Sequence, residues 1–340
     1  MKVIVDDKIP YIREAIERLV DEVVYLPGAG FTPEAVHDAD ALIVRTRTRC
    51  NEALLSGSRV QFIATATIGY DHIDTDYCRR AGIQWTNCPG CNASSVAQYV
   101  RSALLLLQAD RNLPLPELTM GIVGVGHVGT RVEAVAHELG MQTLLCDPPR
   151  QRAEGNCRFL PLAELARQCD VITFHVPLLR EGEDATFHLA DRTFFHSLQR
   201  RPVLLNTSRG EVVETSALRE ALIAGEVSEA VIDVWEHEPD IDRELLQAVY
   251  LGTPHIAGYS ADGKANATRM ALDALCRHFH LRGSYSIVPP ALPERLPEVH
   301  SLTEACLQLY DPRRDSQALK AHPEQFEWLR GHYPLRREQA

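Results

Sequence analysis

The chain has no net positive charge, no long apolar run, no internal repeat and no cysteine framework, and each absence closes off a class of protein. Its formal charge is −11, from 46 Asp and Glu against 35 Lys and Arg. With no global positive field to neutralise phosphates, no nucleic-acid partner is expected. An anionic substrate must instead be met by a local cluster of Arg or Lys. The longest apolar stretch, residues 100–107, is interrupted by Arg101. It is far shorter than the roughly 20 residues a membrane-spanning helix needs, so no membrane partner is expected. The opening Met1-Lys2-Val3-Ile4-Val5-Asp6-Asp7 turns acidic where a signal peptide would be apolar, so the chain is expected in the cytoplasm. Nine scattered cysteines, an odd number, fit a reducing compartment better than a set of disulfides. Cys88-Pro89-Gly90-Cys91 has C-x-x-C spacing, but a structural zinc site would want a second pair and the chain has none; no metal is expected.

What is present is ordinary for a globular protein: 340 residues, 45% hydrophobic and 24% charged, enough for two domains and a small third piece. Short apolar β-branched runs alternate with longer amphipathic ones, the pattern of βα repeats around a parallel sheet. Strands are expected at residues 3–5, 41–44, 62–66, 118–123, 142–147, 171–174, 203–206 and 230–234. Helices are expected at 9–20, 76–81 (closed by Gly82), 93–110 and 130–140. Leu113-Pro114-Leu115-Pro116 reads as a stiff boundary between domains. Beyond Pro289 the texture changes: Pro289, Pro290, Pro293 and Pro297 crowd a short span, and a charged, helical tail follows.

Gly124-Val125-Gly126-His127-Val128-Gly129 is a G-x-G-x-x-G motif, which by itself is a weak signal. Its setting strengthens it. The motif follows an expected strand, opens an expected helix, and lies 18 residues before Asp147 at the end of the next strand. Gly124 permits a tight turn, Gly126 lets the backbone approach a pyrophosphate, and Gly129 allows close packing of helix on strand. Amides at the helix N-terminus, where His127 and Val128 stand, then meet the anion. Asp147 would accept hydrogen bonds from ribose hydroxyls and repel a 2′-phosphate, which favours NAD over NADP. Arg150 is three residues on, and Pro148-Pro149 is expected to direct it away.

Three downstream segments place polar residues where such a sheet ends its strands: Asn206-Thr207-Ser208-Arg209-Gly210, Asp233-Val234-Trp235-Glu236-His237-Glu238-Pro239 and Thr253-Pro254-His255-Ile256-Ala257-Gly258-Tyr259. Oxidising a 2-hydroxy acid requires a cation for the carboxylate, a base for the hydroxyl proton and a carboxylate to orient that base. Arg209, His255 and Glu238 suit these roles. His237 and Glu236 adjoin Glu238, so the register of the pair stays open on sequence alone. His72 between two acids reads as a loop-ordering residue, and His278 and His280, two apart on a helix, point away from each other.

This succession of segments resembles the D-isomer-specific 2-hydroxyacid dehydrogenases, in which Arg, Glu and His act in that chain order. The spacings here are 29 residues from Arg209 to Glu238 and 17 from Glu238 to His255. The resemblance runs over nearly the whole chain, including Gly69-Tyr70-Asp71-His72-Ile73-Asp74 near its start. It is strongest to a subgroup that oxidises a phosphorylated four-carbon 2-hydroxy acid on the route to the vitamin B6 cofactor. The segments that carry it are 65–72, Pro89-Gly90-Cys91-Asn92-Ala93, Cys146-Asp147-Pro148-Pro149-Arg150, 173–178 and 255–260. In the tail, Tyr310-Asp311-Pro312-Arg313-Arg314-Asp315 is similar to that subgroup's dimerisation domain.

The resemblance implies two doubly wound parallel-sheet (Rossmann-like) domains of α/β class plus a small C-terminal α+β or helical extension. It implies a substrate domain of residues 1–94 and 256–285, an NAD-binding domain of 95–255, and a dimerisation module of 286–340 that makes a homodimer. Thr46 and Thr67 would touch substrate, with Tyr259 near its phosphate end. Val176, Thr207, Ser208, Asp233 and Gly258 would line the NAD site. Thr207-Ser208 stands where the subgroup carries Ala-Cys, and the tail reads as shorter than the subgroup's.

A substrate with both a carboxylate and a phosphate needs a second cationic patch, because Arg209 serves only one end. Val44-Arg45-Thr46-Arg47-Thr48-Arg49 is the candidate: alternation along a strand end would put Arg45, Arg47 and Arg49 on one side. Lys264 is a second candidate. Two other readings stand beside this one: the same chemistry on another acid, such as 3-phosphoglycerate, and a non-catalytic NAD-sensing protein on the same fold.

Overall fold

A computed structural model describes residues 1–155, 158–291, 298 and 301–338, so Pro293 and Pro297 of the proline-crowded span lie outside the described residues. The chain divides into two compact units, Met1–Asn92 with Ser260–Leu292, and Ala93–Tyr259 with Pro293–Ala340.

The first unit is built on a five-stranded parallel sheet of β1 (Lys2–Asp6), β2 (Glu22–Leu26), β3 (Ala41–Val44), β4 (Phe62–Thr65) and β5 (Gln84–Thr86), in the order β2-β1-β3-β4-β5. β3 and β4 are buried along their whole length, as strands covered on both faces must be, which is why they read as apolar runs with Thr65 the one polar residue. The edge strands β2 and β5 carry half-exposed residues and were not anticipated. The helix expected over 9–20 is only Arg13–Glu17, because Pro10 and the left-handed Tyr11 (φ 63°) delay its start. The helix Ala261–Phe279 returns to this unit and packs Ala265, Ala271, Leu272 and Leu275 into its core.

The second unit holds a six-stranded parallel sheet of β6 (Thr119–Val123), β7 (Gln142–Cys146), β8 (Val171–Phe174), β9 (Val203–Asn206), β10 (Glu229–Ile232) and β11 (Leu251–Gly252), ordered β11-β10-β9-β8-β6-β7. The strand order reverses at β6, between β7 and β8. In such sheets ligands bind outside the carboxyl ends of the strands at this reversal. The helices Ala93–Arg111 and His127–Glu138 cover one face, with Tyr99, Leu104 and Leu106 fully buried.

Residues 286–291 cluster with the first unit, and the described residues of the C-terminal extension, 298 and 301–338, cluster with the second. Its described helices are Leu302–Leu309, Arg313–Ala321 and Phe326–Gly331. Tyr310 enters the core that Tyr99 shares, and Leu319 and Phe326 enter the core on the other face. Burial of a side chain such as Phe326 contributes roughly 1.5–3 kcal/mol. Among the described residues no helix is long and apolar enough to cross a membrane.

Candidate active site

β6 runs directly into Gly124, whose φ of +87° suits glycine, and a Cβ there would lie 2.6 Å from the His175 carbonyl oxygen. Val176 sits against the same point, so it lies beside the turn. A Cβ on Gly129 would fall 2.1 Å from Gly124 O, whereas one on Gly126 would meet nothing within 4 Å. The glycines thus divide into two that make close packing and one that faces open space. The helix His127–Glu138 begins at Gly126 with no side-chain cap, which leaves first-turn N–H groups to meet an anion. Open backbone at Gly126 and uncapped amides fit the pyrophosphate of a dinucleotide.

Asp147 caps the helix Pro148–Glu154. Its carboxylate accepts from Val125 N at 2.8 Å and from Arg150 N at 3.0 Å. Both contacts fix the carboxylate at the Gly-rich turn and leave lone pairs for ribose hydroxyls. Arg150 is not directed away by the prolines. Once Asp147 starts the helix, the guanidinium folds back over the turn and donates to Val125 O at 2.5 Å and to Glu154 at 2.5 Å. Its charge is paired with Glu154 across one helical turn.

His175, at the end of β8, pairs with Thr173 Oγ1 at 2.9 Å and with Thr207 Oγ1 at 3.3 Å. Burial pulls its pKa down to about 3, so the imidazole is neutral and ties the β8 loop to the β9 loop. In that β9 loop, Asn206 accepts from Ser208 N at 3.1 Å and Ser208 Oγ at 2.9 Å, and donates to Arg209 O at 2.9 Å. Asn206 therefore shapes the backbone that carries Arg209, whose guanidinium donates to Ser208 O at 2.8 Å. Gly210 lets this loop press on the next: a Cβ there would lie 2.0 Å from the Trp235 carbonyl.

The loop after β10 delivers Glu238. One carboxylate oxygen accepts from Trp235 N at 2.9 Å and the other pairs with His255 Nδ1 at 2.8 Å. Burial pushes Glu238 towards the neutral acid. The hydrogen bond and charge of His255, the Trp235 amide and the charge of Arg330 outweigh it, and the carboxyl is held below its ordinary pKa. An ionised Glu238 puts the proton on Nδ1 and leaves Nε2 as the nitrogen that can accept one. His255 holds a left-handed backbone (φ 57°), a conformation that costs energy in a non-glycine residue and recurs at functional sites.

Buried Asp233 fixes this loop. Its carboxylate accepts from Thr253 Oγ1 at 2.6 Å, Ile256 N at 2.8 Å and Ala257 N at 2.9 Å. All three donors are protein groups of the segment 253–257, so the side chain expected to line the NAD site serves first to shape the His255 loop. Gly258 follows in the same turn. The register question also resolves in the geometry. Glu236 turns to His188 at 2.7 Å and Thr215 N at 2.8 Å, and His237 is exposed, so Glu238 alone of the three meets His255.

Tyr259 accepts from Arg330 Nε at 3.3 Å, and Arg330 lies 3.8 Å from Glu238. Arg330 was not anticipated. It is 92 residues beyond Glu238 in an amphipathic tail helix, and no motif marks it.

In the first unit the expected arginine row does not form. β3 stops at Val44, and a turn closed by Thr48 N donating to Arg45 O at 3.2 Å replaces the strand, so strand alternation does not apply. Arg45 donates to Lys8 O at 3.4 Å, Thr46, Arg47 and Arg49 are exposed, and Thr48 is buried. Thr67 donates to Gly69 O at 2.9 Å and shares a 2.7 Å hydrogen bond with Thr65, which also pairs with His72 at 3.0 Å. Lys264 lies on the helix Ala261–Phe279. The thiol of Cys88 is buried, donates to Thr65 O at 3.3 Å and Ala267 O at 3.2 Å, and is pushed up to about 12 by burial, which makes it a poor nucleophile.

The NAD-binding domain of the D-isomer specific 2-hydroxyacid dehydrogenases matches residues 95–257, and a domain of unknown function matches residues 292–340. Among solved structures, the NAD-bound 3-phosphoglycerate dehydrogenase of Entamoeba histolytica superposes with a TM-score of 0.69 at 26% identity, covering 82% of this chain and 95% of that one. The D-lactate dehydrogenase of Aquifex aeolicus, complexed with NAD and lactic acid, gives a TM-score of 0.66 at 26% identity over 82% and 96%. The chain belongs to the D-isomer specific 2-hydroxyacid dehydrogenases and is an NAD-dependent oxidoreductase.

Its full-length relatives carry a narrower name. The erythronate-4-phosphate dehydrogenase of Bacteroides fragilis is 64% identical, covering 100% of this chain and 97% of that protein. The enzyme of the same name from Porphyromonas gingivalis is 44% identical over 99% and 94%.

Proposed function

We propose that the chain oxidises 4-phospho-D-erythronate at C2 to 3-hydroxy-2-oxo-4-phosphobutanoate, a step towards pyridoxal 5′-phosphate. The observation that carries the reading is the 2.8 Å pair of Glu238 with His255 Nδ1 on loops at the carboxyl edge of a dinucleotide-binding sheet. Relatives of matching length and name point to the particular acid. Arg209 holds the substrate carboxylate as a planar fork and polarises the reacting oxygen. His255 Nε2 takes the hydroxyl proton, and Glu238 orients the ring and stabilises the imidazolium that forms. Bound NAD supplies the acceptor for the hydride leaving C2, so proton and hydride account for both electrons and both hydrogens.

Gly124, Gly126, His127, Val128, Gly129 and Asp147 hold the dinucleotide in this reading, with Val176, Thr207, Ser208, Asp233 and Gly258 around them. For the first unit we propose Arg45, Thr46 and Thr67 as substrate contacts. We also propose a cytoplasmic homodimer formed through the C-terminal extension, supported by the exposed apolar side chains of Leu302 and Trp328 on its helices. NADH formation across a panel of 2-hydroxy acids tests the substrate. 4-Phosphoerythronate should exceed erythronate and 3-phosphoglycerate in kcat/KM by at least about a hundredfold. A higher kcat/KM for either of the others overturns the assignment.

A further inference from the structure

The C-terminal extension, which a domain of unknown function matches, reaches the catalytic loops of its own chain at two points. The first is Arg336, a buried arginine whose five N–H donors are all used. Nε donates to Gln98 Oε1 at 2.9 Å, Nη1 to Ile256 O and Tyr333 OH, each at 3.1 Å, and Nη2 to Ala257 O at 2.6 Å and Ser95 O at 3.2 Å. The face of its guanidinium lies 3.9 Å from the centre of the Tyr310 ring. Ile256 and Ala257 immediately follow His255. Asp233 already takes their N–H groups, and Arg336 takes their carbonyls. The two peptide units after the left-handed His255 are therefore gripped from both sides.

The second point is Arg330, on the helix Phe326–Gly331. It stands 3.8 Å from the Glu238 oxygen that pairs with His255, donates to Tyr259 OH at 3.3 Å, and has Glu327 on its other side at 3.6 Å. A fixed positive charge here favours the ionised carboxylate and opposes protonation of the coupled pair. The charged and titratable groups around the pair are His255 and Glu238 themselves, Arg330, Asp233 and Tyr259, with Glu327 behind Arg330.

We propose that the C-terminal extension is a positioning element of the catalytic centre, in which Arg336 locks the His255 loop and Arg330 holds Glu238 charged and in line. The inference rests on Glu238 and His255 being the catalytic pair. Neither arginine touches the reacting atoms; both act through the residues that do.

The test is the pH profile of kcat/KM for oxidation in the full-length protein. Replacing Arg330 by Gln removes a positive charge beside the pair, so the pair takes up its proton at higher pH. The acid limb should move up by about half a unit or more, and kcat should fall about tenfold. Arg330→Lys keeps the charge and should return the limb to its wild-type position. Glu327→Gln, at a half-exposed site that needs no refolding, should move the limb the opposite way. Limbs unmoved in both Arg330→Gln and Glu327→Gln overturn the proposal, as does an equal loss in Arg330→Gln and Arg330→Lys with no displacement. If Arg330→Gln does not fold, the Glu327→Gln limb decides alone. Glu238→Gln and His255→Gln distinguish the two failures. If these are inactive while the limb stays fixed, only the positioning role falls; if they turn over normally, the catalytic assignment falls with it.

Discussion

His255 gathers most of the chemistry onto one side chain. Its Nδ1 is committed to Glu238, its backbone N–H to Asp233 O at 2.8 Å, and its left-handed φ is held by the segment that follows. A general base contributes about 10²–10⁴ in rate, so His255→Gln should lose at least a hundredfold in kcat with NAD affinity unchanged within about threefold. Steady-state kinetics alongside fluorescence titration of NAD checks this, and a joint loss of both would mean the loop had collapsed. The pH sense follows from Glu238. Its folded pKa lies below the ordinary carboxylate value, so the hydrogen bond from His255 Nδ1 to the charged carboxylate is present above that range and its contribution is lost as pH falls through the depressed value. Oxidation therefore weakens on the acid side, where the pair is protonated. The Arg209→Lys variant should raise KM for the hydroxy acid about tenfold or more, because a point charge replaces a fork that grips both carboxylate oxygens.

Among the elements, the Gly-rich turn supports a sharper contrast. Gly129 packs where a Cβ would lie 2.1 Å from Gly124 O, whereas Gly126 faces open space. Gly129→Ala should therefore lower Tm and weaken NAD binding together. Gly126→Ala should leave Tm within about 1 °C and weaken NAD binding tenfold or more, because its methyl fills room that a ligand needs. Thermal melts and NAD titrations on the two variants decide it, and equal behaviour would contradict the division of roles. The same turn was readable from sequence because its glycines answer local demands. β3, β4, β8 and β9 were readable for a similar reason: burial on both faces leaves a mostly apolar run, with at most one polar residue in each. The edge strands β2, β5 and β11 carry no such run, and β11 is only Leu251–Gly252. The arginine row at 45–49 failed for a different reason. Alternation presumes a strand, and hydrogen bonding within the turn ended β3 at Val44. Arg330 and Arg336 act through contacts between segments far apart in sequence, which local pattern does not encode.

At the scale of the molecule, the extension is fastened by a buried polar cluster as well as by apolar packing. Asp315 accepts from Tyr310 OH at 3.1 Å and Tyr333 OH at 3.3 Å, yet burial pushes its carboxyl up to about 6. A carboxyl raised on folding binds its proton more tightly in the folded state, so this group's contribution falls as pH rises from about 4 to 6. Asp315→Asn should remove that dependence and be more stable than wild type near pH 7, by on the order of 1–3 kcal/mol. Denaturant unfolding at pH 4.5 and pH 7 measures it, and a wild type that gains on the variant as pH rises would contradict the account. The dimer proposed through the same extension predicts that replacing exposed Leu302 and Trp328 by charged residues lowers the sedimenting mass to that of one chain. A monomeric wild type would end that proposal.

The nucleotide site and the Arg209, Glu238 and His255 loops work as one enzyme. The most direct test of this is NADH formation from 4-phosphoerythronate by wild type and His255→Gln, with NAD binding measured on the same preparations. Steady turnover is expected in the wild type and at least a hundredfold loss in the variant, with NAD bound equally well by both. A wild type that binds NAD tightly and turns over no 2-hydroxy acid, or a His255→Gln variant that turns over at the wild-type rate, would contradict it.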